Sequence, residues 1–314
     1  MEKRALGKTG VSLSQVGYGA ASLFGKDVLG KQGVTEEGAY ALFTAALERG
    51  VTFFDTGINY GYAEERLGRC IARAIRQGLA RREDLAIESK CGETILPDGS
   101  CGPTDWSPDW LWKSLEISLK RLQLEYLDLY AMHGFCAPAQ LEGVLGAFQQ
   151  MKSQGLIRAY GVNTFDTDYL EWVAREKCFD YVMLDYNILR QDREPLIERL
   201  TDGGVAVLAG AALGESLYSK KLFRPRSRND LWYLARALMN FKELMNRSRD
   251  FRFLTKQPGF TANQLALRYV LDNPRITAAC FSTVNVEHLM ENLRAVDLQM
   301  PRRIREEIMK RRTP

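Results

Sequence analysis

Residues 51–68, VTFFDTGINYGYAEERLG, contain the pattern that decides the fold: a short apolar run that ends at Asp55, followed by a loop that carries Tyr60. A short apolar run bounded by turn residues predicts a buried β-strand. Further runs of this kind occur along the chain at residues 15–20, 85–90, 126–133, 157–164, 181–186, 205–210 and 277–282. The chain therefore has eight predicted strands.

Amphipathic stretches lie between these runs. In residues 36–50 the apolar side chains recur every three to four positions, and Gly50 is placed to end a helix. Residues 107–122 begin with Ser107 as a predicted N-cap and with Pro108 at the first helical position. Eight strands that alternate with helices predict a closed α/β structure, the parallel (β/α)8 TIM barrel, because an open doubly wound sheet usually stops at about five to seven strands.

The segment ahead of the first barrel strand has a different pattern. Residues 3–14, KRALGKTGVSLS, predict two short strands around a glycine-containing turn at residues 7–10. We expect this N-terminal β-hairpin to cap the bottom of the barrel.

The composition is that of an ordinary globular protein of 314 residues, with 46% hydrophobic and 26% charged residues. Barrels of this kind often form one domain at such lengths, so we predict a single domain over residues 1–314. The net charge of +4 gives little reason to expect a nucleic-acid partner. The N-terminus lacks a signal-peptide pattern and no apolar run approaches a membrane span, so the sequence predicts a cytoplasmic protein without membrane association. The six cysteines are predicted to be reduced thiols, with no metal site.

One segment departs from this composition. Residues 219–256, inserted after the seventh strand, hold 11 Lys or Arg against 3 Asp or Glu. Loops that follow barrel strands surround the active site, so this basic arm is expected to lie over the barrel mouth. It is either a solvated helix with loops or a site where Arg224, Arg226 or Arg228 binds a phosphate or carboxylate group.

Four polar residues are predicted to meet at the C-terminal rim of the barrel. Asp55, Lys90 and His133 end the second, third and fourth strands, and Tyr60 lies in the loop after the second. Each of these residue types is common near a strand end, but the catalytic residues of barrel enzymes lie at this rim. The four together therefore predict a catalytic set.

These residue types suit the reduction of a carbonyl group. When a hydride reaches the carbonyl carbon, the oxygen needs a proton, and a free tyrosine with a pKa of about 10 donates reluctantly. An ammonium about 4 Å away stabilises a phenolate by about 4 kcal/mol at an intermediate dielectric, so Lys90 is expected to make Tyr60 more acidic. Asp55 is expected to hold Lys90, and His133 to donate a hydrogen bond to the carbonyl oxygen.

The pattern D-T-x-x-x-Y-G, a lysine that ends the third strand and a histidine that ends the fourth resemble the aldo-keto reductases. The opening segment RALGKTGVSLSQVGYGA, the later segment GLIRAYGVNTF and VEHLMENL fit the same family in order. The N-terminal half is most similar to its sugar-oxidising, L-galactose dehydrogenase-like members. The resemblance implies a nicotinamide cofactor, NADP or NAD, bound without a Rossmann domain, and Tyr60 as the proton donor.

The resemblance also assigns cofactor positions, and several of them depart from the family. Met183 and Gly210 replace a glutamine and an aromatic ring near the nicotinamide, and Ser282 and His288 replace basic residues near the adenosine 2′-phosphate. Asn163 and Thr164 retain polar groups for the carboxamide. The residues present allow either NADP or NAD as the cofactor. The full set of predicted cofactor positions is Gly19, Ala20, Asp55, Asn163, Thr164, Met183, Gly210, Leu213, Ser282, Thr283, His288, Glu291 and Asn292.

The sequence thus favours an NAD(P)-dependent oxidoreductase that acts on a small polar carbonyl or alcohol, with a sugar as one candidate. One alternative is a non-redox lyase or isomerase that uses Tyr60, Lys90 and His133 as an acid-base set. Another is a regulatory subunit, although the complete set of four residues argues against it. The partner is expected to be a small molecule, and the protein a monomer or homo-oligomer.

Overall fold

The computed structural model describes residues 1–23, 34–96, 99–214 and 242–311. Its strands are β1 (Lys3–Ala5), β2 (Ser12–Ser14), β3 (Val16–Gly19), β4 (Phe53–Asp55), β5 (Ala86–Cys91), β6 (Glu93–Ile95), β7 (Cys101–Thr104), β8 (Leu127–His133), β9 (Ile157–Asn163), β10 (Tyr181–Asp185), β11 (Ala206–Gly210) and β12 (Ile276–Phe281). The closed barrel has the order β3-β4-β5-β8-β9-β10-β11-β12, and every pair within it is parallel. The predicted (β/α)8 barrel is confirmed.

Helices cover the outside of the barrel. In the described residues they are α1 (Glu36–Glu48), α2 (Ala63–Arg76), α3 (Pro108–Leu122), α4 (Pro138–Ser153), α5 (Thr167–Glu176), α6 (Glu194–Asp202), α7 (Lys242–Ser248), α8 (Ala262–Leu271), α9 (Val286–Leu293) and α10 (Arg302–Met309). Ser107 caps α3 by accepting a hydrogen bond from the backbone N–H of Trp110, and Pro108 is the first helical residue. Gly50 has a φ of +80°, a left-handed conformation that suits a residue just beyond the end of α1. The predicted start of α3 and the predicted end of α1 are confirmed. None of the described helices is long and apolar enough to cross a membrane.

The N-terminal hairpin of β1 and β2 closes the bottom of the barrel. Its strands pair antiparallel, and the connecting turn includes Gly7 in a left-handed conformation with a φ of +54°. Leu6 and Leu13 of this segment are fully buried and join an apolar cluster with side chains from inside the barrel, such as Phe53 and Leu129. The predicted cap is confirmed, because the hairpin fills this end with apolar side chains.

Two glycines make room for large side chains inside the barrel. A Cβ atom at Gly17 would lie 2.5 Å from the ring of Phe53, and one at Gly161 would lie 2.6 Å from the ring of Tyr181. No real Cβ atom tolerates such a contact, so both aromatic rings occupy space that only glycine leaves open. Tyr181 can therefore sit in the barrel interior, where it contacts a functional group described below.

The described part of the basic arm packs against the body of the protein. Met245 in α7, and Phe251 and Leu254 in the 3-10 segment that follows it, are buried in the main hydrophobic core. Arg224, Arg226 and Arg228 lie outside the described residues. Residues 242–256 thus join the core through apolar side chains, and the expected position of the arm over the mouth stays a prediction.

The hairpin cap offers a test of this packing. We expect Leu13→Ala to lower the free energy of unfolding by about 2–5 kcal/mol, because it removes a fully buried side chain from a closely packed end of the barrel. Urea denaturation of both proteins measures the difference, with Lys8→Ala in the exposed turn as the control. If Leu13→Ala loses no more stability than the control, the hairpin is not a tightly packed cap.

Candidate active site

The four residues predicted to act together do meet at the C-terminal rim. Asp55 and His133 are the last residues of β4 and β8, Lys90 lies one residue before the end of β5, and Tyr60 lies in the loop between β4 and α2. The rings of Tyr60 and His133 meet edge to face with 5.7 Å between centroids. Nζ of Lys90 lies 5.2 Å from the centroid of the Tyr60 ring. Tyr60 and His133 are half-buried, whereas Asp55 and Lys90 are buried beneath them.

Lys90 is an ammonium group enclosed in the protein, with a relative exposure of 1%. Its Nζ donates to a carboxylate oxygen of Asp55 and to the backbone oxygen of Thr56, the latter at 2.7 Å. Burial by itself lowers the pKa of Lys90, but the neighbouring groups, first of all Asp55, raise it well above its ordinary value. Lys90 therefore stays protonated, and its position depends on Asp55.

The pKa of Tyr60 differs from the expectation. Burial raises it and outweighs the effect of the Lys90 ammonium, which lowers it. The carboxyl groups of Asp55, Glu88 and Glu93 raise it further. The expected net acidification of Tyr60 is therefore wrong in direction, because the charge of Lys90 is largely offset by Asp55 and because burial disfavours a phenolate.

The loop that carries Tyr60 is held by buried polar contacts. Arg121 of α3 donates to the backbone oxygen of Ile58 at 3.0 Å and to a carboxylate oxygen of Glu64 at 3.2 Å. Glu64 also accepts a hydrogen bond of 2.7 Å from Ser89, which precedes Lys90 in β5. This network joins the loop, α2, α3 and β5, so Tyr60 and Lys90 are held against the same framework.

Glu93 was missed by the sequence analysis and lies beside His133. It is the first residue of β6, directly after the strand that carries Lys90. Its Oε1 accepts a hydrogen bond of 3.0 Å from Nδ2 of Asn59 and lies 2.9 Å from Nδ1 of His133. Nδ1 of His133 has no hydrogen-bond partner in the described part of the chain, so this contact is close without being a hydrogen bond. In the sequence, the one feature that could have indicated Glu93 is its place three positions after the lysine predicted to end the third barrel strand.

Glu88 was also missed. It is fully buried in β5, two residues before Lys90, and its register partner on β4 is Asp55. The hydroxyl of Tyr181 donates to its Oε1 at 2.8 Å. The signal was a glutamate inside the otherwise apolar run of residues 85–90, on the same face of the strand as Lys90.

Some predicted cofactor positions lie at the same rim. Gly19 pairs with Asp55 between β3 and β4, and Asn163 pairs with His133 between β8 and β9. The side chain of Asn163 is half-buried. The hydroxyl of Ser282 donates to the backbone oxygen of Gly19 at 2.6 Å, which joins the end of the last barrel strand to the first. The structure therefore brings these positions next to the four rim residues.

Other predicted cofactor positions are buried and mainly apolar. A Cβ atom at Gly210 would lie 3.3 Å from Cγ of Met183, so the thioether chain fills the space beside this glycine. Ala20, Thr164 and Leu213 are buried. An aromatic ring at Gly210 would displace the Met183 side chain, so the two departures from the family pattern occur together in space.

The remaining cofactor positions follow the last barrel strand. Thr283 lies in the loop before α9, and His288, Glu291 and Asn292 lie on that helix. His288 is exposed, Glu291 is half-buried and Asn292 is buried. Oδ1 of Asn292 is buried without a hydrogen-bond partner among the residues that the structure describes. These positions belong to a different element from the four rim residues.

Comparison with known proteins identifies the class. The model of the Aldo/keto reductase family matches residues 15–309, so the chain belongs to this family of NAD(P)-dependent oxidoreductases. The family resemblance found in the sequence is confirmed.

The relatives are distant but extend along most of the chain. An uncharacterized oxidoreductase of Bacillus subtilis, YqkF, is 26% identical over 99% of this chain and 95% of its own length. L-galactose dehydrogenase of Arabidopsis thaliana is 29% identical over 94% of this chain and 88% of its own length. The holo form of an aldo-keto reductase from Bacillus halodurans superimposes with a TM-score of 0.81 at 23% identity, covering 100% of this chain and 97% of that one, and so has the same fold.

The buried pair of Lys90 and Asp55 allows a stability test. We expect Asp55→Asn to lower the free energy of unfolding near neutral pH by about 3–5 kcal/mol, because it leaves a buried ammonium without its counter-charge. Chemical denaturation measures this loss. The double variant Asp55→Asn with Lys90→Met should recover a large part of it, since neither charge then remains. A single-variant loss below about 1 kcal/mol would show that Lys90 does not depend on Asp55.

Proposed function

We propose that the protein catalyses hydride transfer between NAD(P) and a small polar carbonyl compound or alcohol. The observation that carries this proposal is the convergence of Tyr60 and His133 at the barrel mouth, directly above the buried pair of Asp55 and Lys90. A proton donor, a hydrogen-bond donor and a fixed positive charge are the groups that carbonyl reduction requires.

Tyr60 is the proposed proton donor. As the carbonyl oxygen gains negative charge, its affinity for a proton exceeds that of a phenolate, so the Tyr60 O–H transfers its proton to that oxygen. The Lys90 ammonium, 5.2 Å from the Tyr60 ring centroid, stabilises the phenolate that remains. The raised pKa keeps Tyr60 protonated at neutral pH, so the phenol carries the proton that it donates before the reaction begins.

His133 is the proposed second group on the carbonyl oxygen. Its half-buried ring meets the Tyr60 ring edge to face, so both can reach one atom in the mouth. Glu93 lies 2.9 Å from Nδ1 of His133. Because Nδ1 faces Glu93, Nε2 is the ring nitrogen proposed to donate its hydrogen to the carbonyl oxygen. Glu93 thus orients His133, and Asn59 holds Glu93 in turn.

The residues present fit a nicotinamide coenzyme, whose bound form would supply the hydride. The unpartnered Oδ1 of Asn292 is an acceptor that suits the amino group of adenine. The side-chain amide of Asn163, next to His133, suits the carboxamide. Gly210 and Met183 lie side by side and are uncharged, so they place no charge next to a nicotinamide ring.

The proposed substrate is polar and small. Glu93 and Asn59 place an anionic carboxylate and an amide beside His133, where they can bind hydroxyl groups near the reacting carbonyl. The similarity to L-galactose dehydrogenase supports a sugar or a related polyhydroxy compound. An apolar aldehyde would leave these polar groups unpaired and should react less well.

The role of Tyr60 is tested by Tyr60→Phe. We expect carbonyl reduction to fall by about 10²- to 10⁴-fold, because the proton donor is removed while the ring is kept. The assay follows NADH or NADPH consumption with a panel of aldoses and short polar aldehydes. Tyr62→Phe is the matched control, since Tyr62 is two residues away with a relative exposure of 61%.

Binding of the coenzyme separates this proposal from its alternative. Titration of the wild type and of Tyr60→Phe with NADH and NADPH should give similar affinities for the two proteins. If the wild type binds neither coenzyme at millimolar concentration, the redox function is excluded and the lyase or isomerase alternative stands. If Tyr60→Phe keeps full turnover, Tyr60 is not the proton donor.

The role of Glu93 is tested by Glu93→Gln. We expect kcat to fall by about tenfold or more, because the amide removes the charged group that faces Nδ1 of His133 and, in our proposal, orients its ring. The affinity for NAD(P)H should stay within about twofold. Glu142→Gln, an exposed glutamate on α4, is the control. An unchanged kcat would mean that His133 needs no carboxylate partner.

A further inference from the structure

Glu88 is a carboxyl group inside the barrel, below the four rim residues. Residues two apart on a strand share a face, so Glu88 and Lys90 of β5 both point into the barrel. On the neighbouring strand its register partner is Asp55. Oε1 accepts the hydrogen bond from Tyr181, whereas Oε2 is buried and accepts none from the described residues.

An ionised Glu88 would be poorly stabilised at this place. Burial raises its pKa to about 8, and the nearby charge of Asp55 contributes to the rise, while Lys90 and the Tyr181 hydroxyl lower it. The raised pKa favours the neutral form of Glu88, which carries an O–H, at neutral pH. The neighbouring carboxyl group is that of Asp55, the register partner of Glu88 on β4. A protonated carboxyl oxygen is a donor, so the unpartnered Oε2 needs an acceptor, and the carboxylate of Asp55 on the adjacent strand is a candidate.

We propose that Glu88 is a positioning residue, a neutral carboxylic acid that donates a hydrogen bond to Asp55 and so keeps the net charge beneath Tyr60 at zero. This inference rests on the proposed function, because it assigns Glu88 an effect on proton transfer from Tyr60. Asp55 then has a donor on each side, the ammonium of Lys90 and the hydroxyl of Glu88. Its orientation, and with it that of Lys90, is fixed by both.

Three of the groups that face Glu88 keep their charge states when Glu88 titrates. Burial raises the pKa of the Tyr181 phenol on β10 and of the Cys280 thiol on β12 well above their ordinary values, so both stay neutral. Lys90 on β5 stays protonated because its pKa is also raised. Asp55 on β4 is the anion that pairs with it. Between about pH 7 and pH 9, Glu88 is therefore the member of this group whose charge changes.

Ionisation of Glu88 has a defined effect on the reaction. Its proton passes to solvent, and a second negative charge then lies beneath Tyr60. This charge raises the pKa of Tyr60 further. A less acidic phenol transfers its proton more slowly to the developing alkoxide. Carbonyl reduction should therefore slow as the pH rises through the pKa of Glu88.

Glu88→Gln tests this effect, because the amide keeps the volume and a donor for Asp55 but cannot ionise. The measurement is kcat for carbonyl reduction from about pH 6 to about pH 9.5. In the wild type we expect kcat to fall by about three- to tenfold as the pH rises, with a midpoint near pH 8. In Glu88→Gln we expect kcat not to fall in this range. Tyr181→Phe removes a hydrogen bond that lowers the pKa of Glu88, so its midpoint should shift to higher pH. The same midpoint in all three proteins would overturn the proposal.

Stability provides a readout that needs no substrate. The pKa of Glu88 is raised on folding from 4.5 to about 8, so the folded protein binds an additional proton between these values. The wild type should therefore lose stability relative to Glu88→Gln as the pH rises through this window, at most about tenfold per pH unit in the unfolding constant. Parallel stability curves would overturn the proposal, even if the proposed reaction itself were not found.

Infrared spectroscopy covers the case in which Glu88→Gln does not fold. A protonated carboxyl group gives a C=O band separate from that of a carboxylate. The wild type should lose such a band as the pH rises through about 8, and Tyr181→Phe should move that loss to higher pH. If Tyr181→Phe leaves the titration unchanged, Glu88 is not the protonated group and the proposal fails.

Discussion

The ion pair between Lys90 and Asp55 is the interaction on which the rest of the site depends. A lysine with a relative exposure of 1% is stable as a cation only if a carboxylate and further oxygens surround it, and here Asp55 and the backbone of Thr56 supply them. The pair joins β4 to β5 at the rim. Burial raises the pKa of Tyr60 above the pair, and the Lys90 ammonium does not reverse this because Asp55 offsets much of its field.

The interior of the barrel changes in character from bottom to mouth. The hairpin fills the bottom with apolar side chains such as Leu13. Above it lie Tyr181 and Glu88, a polar pair enclosed by protein. The ion pair of Lys90 and Asp55 lies nearer to the mouth, and the half-buried rings of Tyr60 and His133 lie at the mouth itself. Burial thus decreases toward the mouth, so the groups proposed to exchange protons with substrate lie where a small molecule can reach them.

The departures from the family pattern have a common physical feature. At the predicted cofactor positions, neutral groups such as Met183, Gly210 and Ser282 stand where the resemblance implies polar, aromatic or basic side chains. Acidic residues occur instead close to the proposed reacting groups, with Glu93 beside His133 and Glu88 beside Asp55. In our proposal this chain therefore controls its chemistry more through the protonation and orientation of the rim residues than through charged contacts to the coenzyme.

The sequence by itself determined the barrel, its hairpin cap and the place of Asp55, Tyr60, Lys90 and His133 at one rim. Strand and helix periodicity is local, and in a parallel barrel all strands end at the same face, so residues at strand ends meet whatever their separation along the chain. Only the tertiary structure decided the net pKa of Tyr60 and the contacts of Glu88 and Glu93. These depend on burial and on distances across the barrel, such as that between Glu88 and a hydroxyl 93 residues away, and no local pattern encodes them.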